Sequence, residues 1–175
     1  MVQVACALSH GWSQIDELKE KRWEAAWQRH QLQMAIQDQL MAAAAAGDLA
    51  ALAKSISNGG KINERSGMQG LTPLIESSKL RPLSVKFLLE NKADPNMHSH
   101  PRTECSVSTF PLFQAAEVGN IEICRLLINA KASLSTEAAN IAKQHGHTDI
   151  ASLCSPPPPP SPVKVNDFKL LTAGH

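Results

Sequence analysis

Apolar residues along this chain come in short helical bursts rather than long runs. Leu49, Leu52 and Ile56 share one helix face, as do Val85, Leu88 and Leu89, and again Ile123, Leu126 and Leu127. Intervals of three and four residues mark an amphipathic helix. Ahead of two of these bursts lies a shorter helix of small residues, with Ala43 and Ala44 in one case and Ala115 and Ala116 in the other. Gly47 and Gly119 stand between the paired helices, and Gly146 is placed alike near the end of the chain. A glycine there can take the left-handed conformation that ends one helix and reverses the chain. Two helices this short cannot bury their apolar faces alone. The pattern therefore predicts like units stacked side by side.

Residues 72–96, "TPLIESSKLRPLSVKFLLENKADPN", follow the same plan, with Arg81 where the other units carry glycine. Thr72 can cap a helix whose first turn tolerates Pro73, because that N–H has no intrahelical partner. The Thr-Pro-Leu motif recurs as Phe110-Pro111-Leu112. Asn63 and Asn96 end their units in turns, where an asparagine side chain bonds nearby backbone. Leu88, Leu89, Leu126 and Leu127 are the expected core between units.

With "TPL", "AAxxG", "LLxxxAD" and the terminal Asn in register, residues 40–154 resemble ankyrin repeats. The resemblance implies an all-α helical solenoid of helix–turn–helix units, β-hairpin fingers between them and a concave binding face. Four units are expected: a degenerate first near 39–65, fuller ones near 70–97 and 109–135, and a short cap at 136–154. The second lacks its turn glycine. The thirteen residues between Asn96 and Phe110, "MHSHPRTECSVST", make the second finger unusually long. Worn end units are normal for such arrays.

The domain order expected is a tail at 1–12, an amphipathic helix at 13–38, the repeat domain at 39–154 and a proline-rich tail at 155–175. Ser13 can cap the helix, and Asp16 and Glu17 suit its positive end. Trp23, Trp27, His30, Met34 and Met41 share one face; Leu18, Ala25, Leu32, Ile36 and Ala43 lie near the opposite one. The preferred reading has the Trp23/Trp27 face capping the first repeat. In the competing one it meets a partner helix. Arg22, Arg29 and Gln39 interrupt the heptad seams and argue against a coiled coil. At the other end, "SPPPPPSP" enforces an extended polyproline rod. It is a linker, or residues 156–162 are a ligand for a proline-motif-binding domain.

Composition narrows the chemistry. Seventeen basic and sixteen acidic residues leave +1, so no global field attracts nucleic acid or an anionic membrane. No apolar run approaches the roughly 18 residues of a membrane span. Four scattered cysteines fit reduced thiols and a cytoplasmic location, with cytoskeletal or ciliary association as an extension of it. No secretory signal is expected. His98, His100 and Cys105 have loose metal spacing without a fourth ligand, so neither metal nor cofactor is expected. His145 and His147 belong to an inter-helix turn, and Cys124 to the core. No phosphate loop, metalloprotease motif or nucleophile elbow is present, so enzyme activity is not expected.

The function these residues imply is a non-enzymatic protein–protein interaction module, a small adaptor. Its contact residues are expected on the fingers (Arg65, Met68, Gln69; Met97, His98, Arg102, Glu104) and on inner helices (Glu76, Lys79, Gln114, Glu117). The alternative is a permanent structural subunit of a large assembly, held by its N-terminal helix and tail.

Overall fold

The computed structural model describes residues 2–67, 69–100 and 108–155, with side chains from residue 17 onward. Among the described residues, eight helices alternate between two layers. The inner layer is formed by the C-terminal end of α1 (Val2–Ala46), α3 (Pro73–Ser77), α5 (Pro111–Val118) and α7 (Thr136–Gln144). The outer layer is α2 (Leu49–Ser57), α4 (Pro82–Glu90), α6 (Ile121–Asn129) and α8 (Thr148–Cys154). Each helix packs on its own hairpin partner and on the next helix of its layer. One core runs through the stack, from Leu40, Ala43 and Ala44 through Leu74, Val85, Leu88, Leu112, Ala115, Ile123 and Leu127 to Ile150 and Cys154. Leu88 and Leu127 are fully buried, whereas Leu89 and Leu126 are half-buried at its margin.

Local chemistry sets the helix ends. Asp48 accepts hydrogen bonds from the Ala50 and Ala51 amides at 2.9 and 3.0 Å, Thr72 from Ile75 at 3.3 Å, Asn120 from Ile123 and Ser135 from Ala138, both at 3.1 Å. Gly47, Gly119 and Gly146 turn the chain between layers with φ of 84°, 84° and 81°. The second unit manages without a glycine by stopping its inner helix at Ser77. Arg81 then opens α4 with an ordinary φ of −121°.

The side chains at these turns lock neighbouring units together. Arg81 lies over Gly47 and its Nε donates to the Ala45 carbonyl at 3.0 Å, covering a carbonyl in the last turn of α1. His147 lies over Gly119 so closely that a Cβ there would collide with the imidazole. His147 does sit in an inter-helix turn: its amide donates to the Ala142 carbonyl at 2.7 Å, while its ring packs on the preceding unit. Cys124 and Cys154, both buried and unlinked, meet across α6 and α8. Their thiol–thiol hydrogen bond, and then burial, push the Cys124 thiol far up, so it stays protonated.

At the opposite edge, Gly59, Lys92 and Lys131 hold the same place after each outer helix, with φ of 93°, 66° and 66°. The next amides, of Gly60, Ala93 and Ala132, donate back to Ser55, Leu88 and Leu127 at 2.9 Å. The side chains of Asn63 and Asn96, expected to bond nearby backbone, reach the next unit instead. Asn63 accepts from the Asp94 amide at 2.9 Å and Asn96 from the Ser133 amide at 2.7 Å. Their amide groups donate to the Lys92 and Lys131 carbonyls. Each asparagine thus bridges to the finger base of the following unit.

The N-terminal boundaries differ from expectation. There is no tail at 2–12 and no break at residue 38: α1 is one helix from Val2 that takes in Gly11, and no glycine or proline follows until Gly47. Its last third is the inner helix of the first unit. Gln33 and Gln37 dock it, donating to the Gly59 and Lys61 carbonyls at 3.1 and 3.0 Å, and Gln37 also accepts from the Lys61 amide. Every residue from 17 to 32 is exposed.

Replacing Leu127 with Ala is expected to lower unfolding free energy by about 2–5 kcal/mol, and Leu126→Ala by distinctly less. Lys131→Gly is expected to raise it by about 0.5–1 kcal/mol, since a side chain is strained at positive φ. Denaturant titration of the three variants checks the register.

Candidate protein-binding face

The first finger is closed by an antiparallel bridge, with Ser66 and Leu71 exchanging amide–carbonyl bonds of 2.8 and 3.1 Å. The second finger is closed at its base by the Ser99 amide on the Thr109 carbonyl and the Thr109 amide on the Ser99 hydroxyl, both at 2.8 Å. The two fingers touch. Arg65 donates through Nε to the His98 carbonyl at 2.9 Å, and the His100 amide donates to Gly70 at 3.2 Å. Gly70 lies so near the His100 backbone that a Cβ would clash with it. The expected finger residues Arg65 and His98 are therefore brought together, and both are exposed. Gln69 is exposed beside a shallow pocket with Asp38, Met41, Ser66 and Leu71. Met97 is half-buried. Met68, Arg102, Glu104 and Cys105 lie outside the described residues, as does the proline-rich segment 156–162.

The inner-helix candidates form pairs rather than free contacts. Lys79 bonds both carboxylate oxygens of Glu76 at 3.0 and 2.9 Å, and Gln114 donates to Glu117 at 3.0 Å. All four are half-buried, and such partly screened pairs position side chains more than they stabilise. Among the described residues, no group of three or more His, Cys, Asp or Glu is arranged to hold a metal ion.

One groove on this face involves residues that the sequence pattern did not single out. A cavity of about 410 Å³ opens between the base of the second finger and the short turn at 132–135 that enters α7, lined by Pro95, Phe110, Leu112, Phe113, Leu134 and Thr136 among others. Phe110 is 41% exposed and its ring meets His98 at 5.7 Å, which ties the groove to the second finger. The signal was available: Phe110 occupies the place of Thr72, where it gives α5 no side-chain cap. A bulky apolar residue in a capping position sacrifices local stability and faces outward. A second apolar strip follows the opposite, inter-helix turns, where Leu49, Leu80, Leu83, Val118 and Ile121 are exposed.

The Trp23/Trp27 face does not cap the stack. Trp23 is 66% and Trp27 51% exposed. The cause is geometric: at about 1.5 Å per residue, Trp23 sits roughly 25 Å ahead of Leu40 along a continuous helix. The nine-residue α2 is too short to follow it there.

A family model described as ankyrin repeats (3 copies) matches residues 40–138, more than half of the chain. The chain belongs to the ankyrin-repeat family, whose repeats generally mediate protein–protein interaction and are typically non-enzymatic. No curated protein matches it significantly. Among the described residues, no helix is long and apolar enough to cross a membrane.

Proposed function

We propose that this protein is a non-enzymatic adaptor that holds another protein in the groove between the base of its second finger and the turn that enters α7. Arg65 and His98, exposed where the first two fingers meet, flank the bound chain. The observation that carries this reading is Phe110, a large apolar side chain left outward at a helix cap and lining an open cavity. Such a pocket accepts an apolar anchor from the partner, and the paired Glu76–Lys79 and Gln114–Glu117 side chains supply polar specificity. The groove stands on rigid stacked helices, so binding orders little and loses little entropy. The exposed helical arm supports a second reading, in which the chain is a fixed subunit of a larger assembly.

The test separates binding from folding. Partners are first captured by cross-linking to the full chain in its source cells and identified, and binding is then measured with purified components. Phe110→Thr recreates the cap that Thr72 provides, so it is expected to keep or raise the unfolding free energy, by up to about 1 kcal/mol. The same change is expected to weaken binding by about 1–2 kcal/mol, or roughly five- to thirtyfold. Unchanged affinity would remove the groove from the site.

A further inference from the structure

The outer helices repeat one packing register. Counted from the capping residues Asp48, Arg81, Asn120 and His147, the fourth position is Leu52 in α2, Val85 in α4 and Cys124 in α6. On the same count the seventh position is Leu88 in α4, Leu127 in α6 and Cys154 in α8. All six side chains are fully buried. Successive outer helices thus pair Leu52 with Leu88 and Val85 with Leu127 in register, and cysteine takes both places at the last interface, between α6 and α8. A thiol fills less space than leucine or valine, so this interface gives up apolar burial. What it holds instead is two sulfurs in hydrogen-bond contact, and reactivity rather than packing is what a cysteine adds.

The two thiols are not equivalent. Cys124 donates to the Cys154 sulfur, which holds the Cys154 thiol below its ordinary value while Cys124 is pushed up. Cys154 is therefore the sulfur that ionises, and the thiolate is the nucleophile. It also stands in the last turn of α8, a helix of seven residues with no side-chain cap at His147. Terminal elements of a stack open at lower free energy than its interior. Cys124 lies on α6, which packs against α4, α5 and α8, and it stays in place as the second sulfur.

We propose that Cys124 and Cys154 form a redox switch, closed to a disulfide by a hydroperoxide that enters when the last turn of α8 opens. The Cys154 thiolate attacks one peroxide oxygen. The O–O bond breaks, hydroxide leaves and takes up a proton, and Cys154 becomes a sulfenic acid. Cys124 then gives up its proton, its sulfur attacks Cys154 Sγ, and the S–O bond breaks to release water. Two thiols lose two electrons and two protons between them, and one hydrogen peroxide is reduced to two waters. The link ties α8, and with it the α7–α8 hairpin, to α6. Residues 132–138, at the start of that hairpin, line the groove, so the oxidised chain holds one wall of it covalently. The switch depends on the sulfur pair alone and stands whether or not the groove is the adaptor site.

Treatment of the folded full chain with hydrogen peroxide, followed by alkylation in denaturant and peptide mass mapping, tests it. The expected product has the Cys124 peptide joined to the Cys154 peptide, rather than either one to Cys6 or Cys105. The oxidised chain should melt about 5 °C or more above the reduced one, and dithiothreitol should reverse the shift. Cys154→Ala keeps the position apolar and is expected to abolish both the link and the shift. Should that variant fail to fold, the linkage map and the melting shift of the natural chain decide. Thiols that resist peroxide until the whole chain unfolds overturn the proposal. So does a link from either cysteine to Cys6 or Cys105, or a Cys124–Cys154 link that leaves the melting temperature unchanged or lower.

Discussion

Each unit of this protein is only two helices thick, and its apolar faces find cover only on the next unit. Everything else follows from that constraint. Alanines at 43, 44, 115 and 116 keep the layers close enough for Leu74, Val85, Leu112 and Leu127 to close one core. Because such an interface could slide, its register needs polar fixtures. Asn63 and Asn96 supply them at the finger edge, and Arg81 and His147 at the turn edge. The fingers are therefore held at fixed spacing, and a fixed spacing is what allows a cavity to persist between them.

The same rigidity explains the arm. The last third of α1 is clamped by Leu40, Ala43, Ala44 and the glutamine bonds to the first finger base. With no residue to break the helix, the preceding turns are carried outward as one rod. A binding surface on that rod is thus oriented relative to the grooves.

Much of the fold was legible in the sequence. The turn glycines, the Thr72 cap and the apolar triplets each follow a local rule, and local rules can be read without coordinates. The roles of Arg81, His147 and the two asparagines were not legible to the same degree, because their partners lie one unit away in sequence. The position of Trp23 was misjudged for a related reason. A two-sided apolar helix fits a cap equally well as a free arm until its continuity with the first inner helix is known. Phe110 was visible as an altered motif, yet its outward position depends on the neighbouring finger, which only the assembled stack defines.

The central claim is that the chain from Gln33 to Cys154 is one cooperative stack whose first inner helix is the end of α1. Native-state hydrogen exchange of the full chain, at low protein concentration and rising denaturant, tests it most directly. The account predicts that the amides of residues 40–46 merge into the same global opening as those of Leu88, Ala93, Leu127 and Ala132. Exchange of residues 40–46 together with residues 17–32, ahead of the repeats, would contradict it.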